Sequence, residues 1–73
     1  MTTKPMTIRQ YRLLLGWSLT ELADRSGLTY QTVSRIEKGN PARDYNIAAI
    51  ARALSEGLGE TITVDDLKGV KFM

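Results

Sequence analysis

The stretch SGLTYQTVSRIEKGN, Ser26 to Asn40, sets a glycine ahead of a threonine and then a segment with two large aliphatics in a polar remainder. On a wheel of about 100° per residue with Tyr30 at the origin, Val33, Ile36 and Glu37 fall between roughly 240° and 340°. Tyr30, Gln31, Ser34, Arg35 and Lys38 fall between about 0° and 140° on the same wheel. One side can pack against a core. The other carries five polar or amphipathic side chains and no acid, whereas an ordinary solvated helix face is rich in both Glu and Lys. The stretch reads as a helix with one face reserved for a negatively charged surface.

The residues before it support that reading. Ser18 caps a preceding helix, with Glu21 three residues on to complete a capping box. Leu19, Leu22, Ala23 and Ser26 lie on one face of it at helical spacing. Gly27 closes this helix, and only Gly27 and Leu28 separate it from the Thr29 cap of the next. Two short helices joined by a tight glycine turn form a helix-turn-helix. Such a unit lays its second helix in the DNA major groove, whose width of about 12 Å admits a helix.

Helix signals continue in both directions. Thr7 and Gln10 form a capping box for a first helix with the stripe Ile8, Tyr11, Arg12 and Leu15, ended by Gly16. Trp17 is expected to staple onto the Glu21–Leu22 turn. Gly39 ends the third helix, Asn40-Pro41 breaks the chain, and a fourth helix starts near Asp44. Its stripe is Ile47, Ile50, Ala51 and Leu54, with a stop at Gly57 or Gly59. Glu60 to Thr63 reads as an extended linker or a short strand. Thr63 and Asp66 then cap a short fifth helix holding Val64 and Leu67. Asp65 and Asp66 suit the start of a helix better than a metal site. The expected fold is all-α, a bundle of four to five short helices, with a single domain over residues 1–73, an N-terminal arm over 1–6 and a loose tail over 69–73.

Composition narrows the function. With 73 residues and 42% hydrophobic content, the chain forms one small core. Cysteine and histidine are both absent, which removes thiolate metal sites, cysteine nucleophiles and the usual base near neutral pH. With no glycine-rich phosphate loop and no paired carboxylates, no enzyme, cofactor or metal site is expected. No apolar run reaches the roughly 20 residues of a membrane span, so a cytoplasmic, nucleoid-associated protein is expected. The net charge of +2 divides into +4 up to Arg43 and −2 from Asp44 onward. The front half therefore suits a polyanion and the second half another partner.

From Ser18 to Gly39 the chain resembles the DNA-binding domain of the phage lambda and 434 repressor and Cro family, and the likeness extends over about Ile8 to Leu67. The SRIEKG ending of the third helix is typical of that family. The resemblance implies a bundle of four or five helices that binds double-stranded operator DNA, two-fold symmetric, as a homodimer. It assigns base reading to Tyr30, Gln31, Thr32 and Arg35, with Ser34 on the same face. It assigns the phosphates to Lys38, Asn40 and Arg43, joined by the cap residues Ser18 and Thr29 at helix N-termini. Arg12 and Glu37 match an internal ion pair. The chemistry agrees, since Arg35 can bridge guanine O6 and N7, and Gln31 adenine N6 and N7. Leu19 departs from the pattern, standing where the family commonly has a phosphate-binding glutamine. The segment between Leu54 and Thr63 is also longer than the usual link. Val64, Leu67, Val70 and Phe72 are the candidates for the dimer surface. These readings converge on a transcriptional repressor, with a protein-interaction module such as an antitoxin or phage adaptor as the alternative.

Overall fold

Three of the four helices are only eight residues long. Isolated helices shorter than about 12–15 residues are marginal in water, so caps and packing must hold these. The computed structural model describes residues 4–73. Along the chain it contains β1 (Met6–Thr7), α1 (Ile8–Leu15), α2 (Leu19–Ser26), α3 (Tyr30–Glu37), β2 (Pro41–Ala42), α4 (Asp44–Leu58), a single 3-10 turn (Val64–Asp66), β3 (Leu67–Lys68) and β4 (Lys71–Phe72). α2 packs against both α3 and α4, and α1 against α4. The fold is mainly α-helical.

Local chemistry sets the helix boundaries. Thr7 accepts from the Gln10 N–H at 3.1 Å, and the Gln10 side chain accepts from the Thr7 N–H at 2.9 Å, a complete box. At Ser18 only half of the expected box forms. Ser18 Oγ accepts from the Glu21 N–H, but the Glu21 carboxylate turns to Arg25 Nε at 2.6 Å. Gly27 adopts φ 76°, left-handed backbone that a side chain disfavours, and so lets α2 end and α3 begin within three residues.

The inward stripes of α1 and α4 meet in the core, where Ile8, Tyr11, Leu22, Ile47, Ile50 and Leu54 are buried. α4 runs through Gly57 and stops at Gly59 (φ 71°). The cause is Trp17. A Cβ at Gly57 would lie 2.5 Å from Trp17 Cη2, so the ring rests on α4. The Arg25 guanidinium also lies 4.5 Å from the ring centroid, a cation–π arrangement. Trp17 packs against the core cluster that includes Leu22, and it also links Arg25 to α4.

The second half departs most from expectation. Residues 60–63 form neither helix nor strand. Ile62 instead plugs the core, and Ser55 fixes it by accepting from the Ile62 N–H at 2.7 Å. The Ser55 hydroxyl faces the carbonyls of Ala51 and Ile62 at 2.8 and 3.0 Å. The fifth helix shrinks to one 3-10 turn, and Leu67 falls in β3. Two parallel strand pairs then close the domain, β1 with β3 (Met6 opposite Leu67) and β2 with β4 (Pro41 opposite Lys71). The tail expected to be loose over 69–73 is therefore tied down, and the Met73 N–H donates to Ala42 O at 3.0 Å. Of the arm expected over 1–6, residues 1–3 lie outside the described residues. Met6 pairs in β1, and Lys4 Nζ donates to Thr61 O at 3.0 Å.

One buried ion pair crosses the bundle. Arg12 Nε and Nη2 donate to the two Glu37 carboxylate oxygens at 3.0 and 2.9 Å, and Nη1 donates to Trp17 O at 2.9 Å. Hydrogen bonding to Glu37 raises the Arg12 pKa above its already high value, so the guanidinium stays charged. Glu37→Ala is expected to destabilise by about 3–5 kcal/mol, because it strands a buried cation. That approaches the whole stability of a core this size. The double variant R12M/E37L should recover most of the loss in urea denaturation, and equal losses in single and double variants would contradict the assignment.

The Asp66 carboxylate accepts from the Thr63 N–H at 3.0 Å, and this bond, with help from the Thr63 hydroxyl and the Lys4 charge, lowers its pKa. A depressed folded-state pKa adds stability above the ordinary carboxylate range, and that increment disappears as pH falls through the depressed value. The melting-temperature gap between wild type and Asp66→Asn should therefore close on acidification from neutral pH. A gap that stays constant into the acid range would refute the linkage.

Candidate nucleic-acid interface

α3 is two-sided because its apolar residues number only two. Val33 and Ile36 are 0% and 3% exposed, and they anchor the helix from behind. Tyr30, Gln31 and Arg35 are exposed on the opposite side, with Thr32 and Ser34 half-buried between the two faces. Tyr30 retains 53% of its surface. No acid lies on this side, and among the described residues Arg35 has no ion-pair partner. All five residues read from the sequence as base contacts belong to α3, with Tyr30, Gln31 and Arg35 the exposed ones.

The residues expected to hold phosphates separate into two groups. Lys38 and Arg43 are exposed cations without an ion pair among the described residues. Ser18 is exposed, and its Oγ accepts from the Glu21 N–H, which leaves its hydroxyl proton available to an anion. Thr29 and Asn40 have internal work. Thr29 Oγ1 accepts from the Thr32 N–H at 3.2 Å and donates to Thr32 Oγ1 at 2.9 Å. Asn40 donates to Arg35 O twice, from its backbone N–H and from Nδ2, each at 3.1 Å. Asn40 thus ends the helix that presents Arg35.

Leu19, where a polar clamp was looked for, is half-buried against the core. The dimer candidates are corrected in part. Leu67 is 6% exposed and belongs to the chain's own core, so it is not available to a second copy. Val64 and Val70 pack partly on that core, and Phe72 keeps 51% of its surface exposed.

A shallow groove runs beside α3, lined by Thr32, Arg35, Arg43, Asn46 and Met73 among others. Asn46 and Met73 were not legible as site residues. Asn46 is one position before the α4 stripe, a weak signal that it faces the loop rather than the core. Met73 reaches the groove only through the β2–β4 pairing, which nothing in the local sequence announces. Tyr45 is also exposed, in the first turn of α4.

Comparison with known proteins fits this geometry. The family described as Helix-turn-helix matches residues 8–60. A protein of Methanothermobacter thermautotrophicus, described as an uncharacterised HTH-type transcriptional regulator, is 42% identical over 65 residues, covering 88% of this chain and 94% of that protein. No solved structure matches the chain.

The two roles assigned to the α3–β2 loop separate by stability. Asn40→Ala should destabilise the domain by about 1 kcal/mol through the lost bond to Arg35 O. Lys38→Ala, at an exposed position, should change stability by less than about 0.5 kcal/mol. Urea midpoints measure both, and an unchanged midpoint for Asn40→Ala would remove its capping role.

Proposed function

This chain belongs to the Cro/C1-type helix-turn-helix family of DNA-binding regulators, and from that premise we propose that it is a repressor that inserts α3 into the major groove as a homodimer. The observation that carries the reading is the acid-free, exposed side of α3, backed by two fully buried aliphatics. Arg35 bridges guanine O6 and N7, and Gln31 pairs with adenine N6 and N7. Tyr30, Thr32 and Ser34 complete the contact with base edges and thymine methyl groups. Lys38, Arg43 and the Ser18 hydroxyl neutralise or bond phosphates, which fixes register without reading sequence.

One copy covers one half-site. Two copies on half-sites about 34 Å apart, one helical turn, match a two-fold symmetric operator. Self-association is proposed on the second half of the chain, around Phe72 and the open flanks of Val64 and Val70. No helix among the described residues is long and apolar enough to cross a membrane, and a cytoplasmic, nucleoid-associated location accords with a DNA partner. The protein acts by binding alone and performs no catalysis.

Selection from a random DNA pool would yield the operator and its symmetry. On that site Gln31→Ala and Arg35→Ala should each cost about 1–3 kcal/mol and relax preference at one base pair. Normal affinity and preference in both variants would overturn the base-reading assignment. A non-palindromic site bound by a monomer would overturn the dimer.

A further inference from the structure

The family match ends at residue 60, yet the chain continues for another 13 residues and returns to the α3 side of the domain. A Cβ placed on Gly39 would lie 3.7 Å from Gly69 O, so the tail passes close behind the α3 terminus. It then runs parallel to the loop that follows α3, with Lys71 opposite Pro41 and Phe72 opposite Ala42. That loop carries Lys38 and Arg43, so the register sets Lys71 on the strand beside them. Lys71 is exposed and forms no ion pair among the described residues. Two residues further on, Met73 shares the groove with Thr32, Arg35 and Arg43.

We infer that β4 is a second DNA-contacting element and that Lys71 binds a phosphate next to those held by Lys38 and Arg43. The inference rests on the reading of α3 as the recognition helix. Parallel pairing delivers the cation, and because neighbouring strand residues face opposite ways, Lys71 can meet the backbone while Phe72 stays on the other side. The contact adds affinity without adding sequence preference. Lys68 provides the matched control. It has the same charge and lies three residues earlier, but it sits in the other strand pair, opposite Thr7.

The test is fluorescence anisotropy of the full chain on the selected duplex and on a scrambled one, across a salt series. Lys71→Gln should weaken binding to both duplexes by a similar factor, about three- to tenfold near 0.15 M salt, and lower the salt slope by about 1. Lys71→Arg should retain the wild-type slope, and Lys68→Gln should change nothing. An unchanged slope in Lys71→Gln, an equal loss in Lys68→Gln, or a loss confined to the selected duplex would each overturn the inference. Those results leave the recognition-helix reading intact as long as Arg35→Ala still loses its base preference. Wild-type protein with no salt-dependent DNA binding would overturn both.

Discussion

The fork between Arg12 and Glu37 is the constraint that gives α3 its orientation. Two buried aliphatics on an eight-residue helix secure it against the core but leave its rotation poorly defined, because Val33 and Ile36 tolerate sliding. Two parallel N–H···O bonds are directional and do not. The third guanidinium bond, to Trp17 O, ties the α1–α2 turn to the same point. The desolvation of the two charges offsets much of their attraction. What the pair contributes is therefore a fixed angle between α1 and α3, and with it the direction in which Gln31 and Arg35 project.

Most of the helical framework could be read from the residues. Thr7, Ser18 and Thr29 cap helices as their spacing required, and Ile47, Ile50, Ala51 and Leu54 all face inward. These features are local, since a cap acts over three residues and a stripe over one helix. The exposed side of α3 was legible for the same reason. What was not legible depends on residues far apart in sequence. Ile62 is an unremarkable aliphatic in a linker until Ser55 binds its backbone. Gly57 looks like a stop until Trp17, forty residues earlier, needs the space above it. Leu67 looks available for a partner until β3 turns it into the core. Thr29 and Asn40 show a subtler limit: their polar groups suit phosphate, but the chain's own backbone takes them first.

That division gives the interface its character. Hydroxyl and amide groups around α3 are largely occupied in holding the helix ends, as at Thr29 and Asn40. The open charges are cationic and flank it: Lys38 and Arg43 in the loop, and Arg35 on the helix itself. Cations on long, flexible side chains tolerate small errors in docking, whereas base contacts do not. A firmly held helix with an adaptable charged surround follows from which groups the fold uses and which it leaves over. In the acid-leaning half of the chain, Asp66 is turned to the Thr63 N–H.

The pairing of Met6 with Leu67 also has a kinetic side. The helices and the α2–α3 turn rely on neighbours close in sequence, so they can form while the chain is still emerging from the ribosome. β1 cannot, because its partner lies far along the chain. Closing so large a loop is slow compared with forming helices. During synthesis the helix-turn-helix therefore takes shape before the strand that seals the domain finds its place, and the nascent chain waits with Met6 and its neighbours unpaired until Leu67 arrives.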